Sequence, residues 1–173
     1  APTTTPPGAE APPADALAAL ETKLQANINT VWLVACAALV FFMQAGFCML
    51  ETGMSRAKNS INVSMKNFMD FTFATLAYLF IGFPIMFGNS PNGLFGQGPC
   101  WLSEYGSTSA IWGFWIFQVV FAGTATTIVS GAMAERTKFV GYLVFTVVMT
   151  AVIYPIAGHW AWGSFAGGVG YGG

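Results

Sequence analysis

TVWLVACAALVFFMQAGFCML, residues 30–50, runs for twenty-one residues without a charge. A helix that crosses a bilayer needs about 20 mostly apolar residues, so this stretch predicts a membrane span. Three more segments fit the same requirement. Phe68–Phe87 is apolar apart from Asp70 at its start, and Ser109–Ala134 and Phe139–Trp162 carry no charge. With their flanks the four spans run about 30–54, 67–87, 109–134 and 138–162. Residues 16–27 read as a short lead-in helix before the first span. No strand-like alternation appears, and an open sheet cannot span lipid. The fold class is therefore all-α: a polytopic membrane helix bundle with four transmembrane helices.

Composition agrees. Of 173 residues, 55 % are hydrophobic and 8 % charged, where a soluble domain carries about 25 % charged residues. A net charge of −1 offers no basic patch for nucleic acid. The three cysteines do not make a disulfide framework: Cys36 and Cys48 fall inside one apolar run, and Cys100 lies in a Gly/Pro-rich loop. No CxxC or Cys/His spacing suits a metal, no nucleophile–base constellation suits an enzyme, and no cofactor is implied. The opening APTTTPPGAEAPPADA is rich in Pro, Thr and Ala. It reads as a flexible tail, and residues 1–26 as an extracytoplasmic segment. A cleaved signal peptide or a trimmed end would equally leave Ala1 first.

Charge asymmetry orients the spans. Arg56, Lys58 and Lys66 lie between spans 1 and 2, Arg136 and Lys138 between spans 3 and 4, and the loop from Gly88 to Thr108 has no basic residue. The positive-inside rule makes both basic loops cytoplasmic and the N-terminus extracytoplasmic, in a multi-pass protein of the cell (inner or plasma) membrane. Trp112, Trp115, Trp160 and Trp162 then stand near the outer interface, where such rings anchor helices. Gly123, Thr127 and Gly131 repeat every fourth residue and predict a close helix–helix face. Gly82, Pro84 and Pro155 predict kinks. Glu51 and Asp70, flanking the first basic loop, predict an ion-pair network with Arg56, Lys58 and Lys66. Glu135 and Arg136 read as a loop anchor, and Gln44 as a mid-span residue satisfied by another helix or lining a pore.

Three stretches go further: MQAGFCMLETGMSRAKNSINVSMKN (43–67), FQVVFAGTATTIVSGAMAER (117–136) and YPIAGHWAWG (154–163). In order and spacing they resemble the ammonium transporter (Amt) family, related to the Mep and Rh proteins, and its Amt branch in particular. The resemblance covers about residues 27–173. It implies an eleven-helix fold of which this chain carries the first four, N-terminus outside. It also implies a homotrimer with one pore per subunit, and remaining helices supplied by the same or a second chain.

The resemblance assigns roles by position. Trp162 resembles the tryptophan of an outer vestibule that recruits ammonium, Phe121 the gate phenylalanine below it, and Phe117 the aromatic one turn above. The chemistry suits the residue types, because a small cation is drawn to an aromatic face, best to indole, by about 0.5–2 kcal/mol. Phe117 and Phe121, four apart, share a helix face about 5.4 Å apart along the axis; such pairs also serve as plain packing. The family's two pore histidines, on its fifth helix and in its second half, correspond to no residue here. His159 matches neither and reads as a hydrogen-bonding residue near a helix end, or as a modulator of the vestibule's pH response. Ammonium transport and non-conducting ammonium sensing, coupled to a signalling module, use the same vestibule. A structural or regulatory fragment without its own pore is the third reading.

Overall fold

A computed structural model describes residues 14–89, 94–99, 109–133 and 136–166. The expected flexible start of the tail (residues 1–13), Cys100, Glu135 and the glycine-rich end from residue 167 lie outside the described residues. Helix α1 spans Ala14–Met54. A single 3-10 turn, Ala57–Asn59, leads into α2, Ser60–Ala77, which passes through a π-helical turn, Tyr78–Gly82, into α3, Phe83–Phe87. Helix α4 is Ser109–Met133. Helix α5, Phe139–Val148, passes through a second π turn, Met149–Ile153, into α6, Tyr154–Ala166. Four helical rods are thus long and apolar enough to cross a membrane.

Helix α1 differs from the sequence expectation. The lead-in segment is not separate, because one helix of 41 residues runs from Ala14 through the span. At 1.5 Å per residue it is about 60 Å long, roughly twice the hydrocarbon core. The cause lies in residues 14–29, ADALAALETKLQANIN, which contain neither Gly nor Pro and are rich in strong helix formers. A span already helical also removes the nucleation cost that would otherwise limit such a segment in water.

The two kinks are π turns placed just before prolines. Phe83 N–H bonds to the Tyr78 carbonyl and Tyr154 N–H to the Met149 carbonyl, each five residues back. Pro84 and Pro155 follow directly. A proline cannot donate the next helical bond and its ring crowds the preceding turn; one wide turn absorbs both effects without ending the rod. The two π turns pack against each other. The contact is close: a Cβ at Gly82 would lie 2.6 Å from the Thr150 carbonyl oxygen.

Packing divides the bundle lengthwise. Near the end opposite the basic residues, Tyr78, Phe83, Met86, Phe87, Ile111, Val119, Val120 and Ala122 form an apolar core. Phe87 and Phe114 meet edge to face at 4.9 Å between ring centres, and the Tyr78 hydroxyl donates to the Met86 sulfur at 3.1 Å. Toward the basic end the interior is polar, with Gln44, Glu51, Lys66, Asn67, Asp70, Thr127, Ser130 and Thr146 all buried. The Gly123–Thr127–Gly131 stripe forms the expected close face. A Cβ at Gly123 would touch the Phe71 ring at 3.4 Å, one at Gly131 the Glu51 carboxylate at 3.4 Å, and Thr127 is fully buried. Outward-facing side chains such as Trp32, Leu39 and Phe42 on α1 are apolar and exposed, as a lipid or partner-helix surface requires.

The π-turn contact carries a test. Gly82→Ala forces a methyl group onto a backbone carbonyl and should cost about 1–3 kcal/mol, lowering the midpoint of thermal unfolding in detergent. Gly141→Ala, inside α5 where nothing lies within 4 Å, should leave that midpoint in place or raise it, because alanine is the better helix former.

Candidate functional site

Helical periodicity alone sets Phe117 and Phe121 on one face of α4. Their rings meet edge to face, 4.9 Å between centres and inclined by 67°, the arrangement that ring quadrupoles favour. Phe121 remains 37 % exposed on a helix whose next residues, Ala122, Gly123 and Thr124, are buried. Its ring is therefore held by Phe117 and still open on one side. Trp162 stands near the end of α6 and is 52 % exposed. All three residues lie on α4 and α6, which pack on each other, in the half of the bundle away from the basic residues. An exposed aromatic ring offers a face to which a cation is attracted.

His159 has a definite partner. Its Nδ1 lies 2.7 Å from the Met86 carbonyl oxygen. A carbonyl only accepts, so Nδ1 carries the proton. Met86 sits in the last turn of α3, where carbonyls lack helical partners. His159 thus caps α3 from α6. One residue on, Trp160 Nε1 donates to the Leu94 carbonyl at 2.8 Å. These two bonds fasten the end of α6 to α3 and to the segment that follows it, and Trp162 lies on the helix so fixed.

The membrane-embedded acids have other partners than the sequence suggested. Glu51 accepts from Asn67 at 3.0 Å and Ser130 at 3.2 Å. Asp70 accepts from Thr146 at 2.6 Å and Thr127 at 3.0 Å. Lys66, expected in a loop, is inside α2 and only 5 % exposed, its ammonium 5.2 Å from the centre of the Tyr142 ring. Among the described residues these donors to both carboxylates are thus neutral amides and hydroxyls, reaching across α1, α2, α4 and α5, while Lys66 turns to an aromatic ring. Spacing explains the change: Thr127 and Ser130 project from one stretch of α4 toward both acids, close enough to displace longer, more strongly hydrated cations. Gln44 meets the expectation of a second helix, donating to Thr127 Oγ1 at 2.6 Å. Sequence reading missed Thr146, Tyr142, Asn67 and Ser130. The available signal was the run of hydroxyl and amide residues within otherwise apolar spans, residues that are rarely idle in lipid.

Comparison with known proteins supplies the family. Residues 31–172 match the family model described as Ammonium Transporter Family. The chain is 51 % identical over 136 residues to Ammonium transporter Amt2 of Archaeoglobus fulgidus, covering 79 % of this chain and 29 % of the relative. It is 40 % identical over 144 residues to Ammonium transporter 1 member 3 of Solanum lycopersicum, covering 83 % and 31 %. A solved structure titled Sensor Amt Protein superposes with a TM-score of 0.77 at 41 % identity, covering 82 % of this chain and 36 % of that one. The chain spans about a third of the length of these curated relatives. A family match across nearly all of the four rods, with these identities, means that the chain belongs to the ammonium transporter family.

Proposed function

We propose that this chain forms the outer recruitment face of a protein that moves ammonium across the cell membrane. The N-terminus and the α3–α4 connection lie outside and the basic ends inside, as the positive-inside rule requires. Trp162 and Phe117 present aromatic faces to the cation, and Phe121 lies one turn deeper as the gate. The observation that carries this reading is the edge-to-face pair of Phe117 and Phe121, with the deeper ring still open on one side. Cation–π attraction alone supplies about 0.5–2 kcal/mol and distinguishes ammonium poorly from potassium. Selectivity then requires a step that potassium lacks, the release of a proton. The helices that would complete the pore, in the same or a second chain, and a homotrimeric assembly belong to this proposal.

A second reading is supported by the solved structure titled Sensor Amt Protein: the same aromatic face binds ammonium without conducting it. Ammonium-evoked current across proteoliposomes decides between the two. Current that grows with ammonium concentration supports transport, whereas ammonium binding without current supports sensing.

Trp162→Leu should raise the ammonium concentration for half-maximal current between about 2- and 30-fold, the equivalent of the lost cation–π contact. An unchanged concentration series would remove Trp162 from the site. Phe121→Ala should change the current or the ratio of ammonium to potassium conducted; wild-type behaviour on both counts would make the ring a packing residue. His159 serves this face by holding α6. His159→Asn keeps a donor near the Nδ1 position and should retain thermal stability, while His159→Leu should lose about 0.5–1.5 kcal/mol, read from unfolding midpoints. Equal loss in both variants would show that the Met86 bond is not what His159 contributes.

A further inference from the structure

We propose that Asp70 is a proton-binding site inside the membrane, and that Thr127 is the hydroxyl that changes partner when the proton arrives or leaves. Asp70 is 0 % exposed. An ionised carboxylate in such a place is expensive unless a cation or several donors compensate it. The groups that face Asp70 are identifiable element by element among the described residues. Helix α4 offers the Thr127 hydroxyl to Oδ2, and α5 offers the Thr146 hydroxyl to Oδ1. From α2, Lys66, one turn before Asp70, turns its ammonium over the Tyr142 ring. From α1, the other acid, Glu51, is occupied by Asn67 and Ser130. The Tyr142 hydroxyl, on a residue 1 % exposed, makes no hydrogen bond of good geometry although it lies among Asp70, Ser130 and Thr146. Two carboxylates and one ammonium leave this buried cluster one positive charge short, and an orphaned hydroxyl stands beside the acid.

Thr127 has the geometry to serve both states of Asp70. Its Oγ1 lies 3.0 Å from Asp70 Oδ2 and 3.0 Å from the Gly123 carbonyl oxygen, and it accepts from Gln44 at 2.6 Å. A hydroxyl has one proton to give and two lone pairs to receive, so it can donate to only one of the two acceptors at a time. With Asp70 ionised, Thr127 donates to Oδ2. With a proton bound on Oδ2, the new O–H donates to Thr127 Oγ1, and the threonine proton turns to the Gly123 carbonyl. The Gln44 bond is the same in both states, and no heavy atom has to move. In both arrangements the Thr127 proton has an acceptor and Gln44 keeps its bond, which lets a proton exchange cheaply in a low-dielectric interior. Toward the basic end, Tyr142 and Ser130 are the hydroxyls that stand between Asp70 and Glu51. The site uses none of the three aromatic residues of the recruitment face.

The test is infrared difference spectroscopy on the reconstituted protein between alkaline and acid buffer. A protonated-carboxyl C=O band should appear on acidification and shift down in D2O. It should be lost in Asp70→Asn and retained in Glu51→Gln and in Trp162→Leu, so that failure here and failure of the aromatic reading are separable. Thr127→Val and Thr146→Val should each move the band to higher frequency, because the first removes the acceptor of the carboxyl O–H and the second the donor to its C=O, whereas Thr127→Ser should leave it near its original position. These threonine variants carry the test if Asp70→Asn does not fold. A band that persists in Asp70→Asn, one that fails to move in both valine variants, or one that stays constant from acid to alkaline buffer overturns the proposal.

Discussion

Asp70 accepts hydroxyl protons from α4 and α5 at once, and much of the bundle follows from the need to keep it satisfied. In hydrocarbon no water stands ready to replace a lost hydrogen bond. A carboxylate on α2 therefore dictates which faces of its neighbours must turn inward. Thr127 has to face α2, and with a period of four residues Gly123 and Gly131 must face the same way. Phe71 and Glu51 pack over these two glycines, close enough that a Cβ there would just reach van der Waals contact. Gln44 then ties α1 to the same threonine. One buried acid thus sets the rotation of three helices about their own axes.

This arrangement also explains why the bundle is not uniform along its length. Apolar side chains gain little from meeting each other when the alternative is lipid, so the polar cluster supplies specificity near the basic end. At the other end, specificity comes from shape: interlocking aromatic rings, the sulfur contact of Met86, and two π turns pressed together at Gly82. The threonines that are not needed between helices return their hydroxyls to the carbonyl four residues earlier, as Thr124, Thr126 and Thr150 do. That local bond makes a polar residue acceptable in an apolar rod.

Much of the architecture was legible in the residues because its signals are additive over long windows. Four apolar runs near twenty residues, three of them charge-free and one carrying only Asp70, define four rods, and Pro84 and Pro155 mark where the second and fourth must deform. The form of the deformation was not legible: a proline states that a hydrogen bond is missing, not that the preceding turn will widen. The continuity of the lead-in helix with the first span is invisible to hydropathy, which changes near Thr30, while helix propensity does not change there. The aromatic residues were singled out through the resemblance, since two phenylalanines four apart are equally good packing. What stayed hidden was the pairing of the acids. Sequence distance favoured Lys66 and Arg56 for Glu51 and Asp70, yet Ser130 and Thr146 are 79 and 76 residues away from the acids they reach. Long-range donors of this kind leave no mark on the local pattern.

The histidine shows how the two halves of the molecule are joined. His159 draws the eye as the chain's one imidazole, but its Nδ1 is committed to the Met86 carbonyl, and that bond does for α3 and α6 what Thr127 does for α1, α2 and α4. Met86 lies beyond the first π turn and His159 beyond the second. The short segments α3 and α6 therefore form a clamped unit, carried on the longer rods through two wide turns that touch each other. Trp162 belongs to that unit, whereas Phe117 and Phe121 belong to α4. The placement of Trp162 relative to Phe117 and Phe121 consequently depends on how the clamped unit sits on α4, and the two π turns, pressed together at Gly82 and Thr150, are part of that seat.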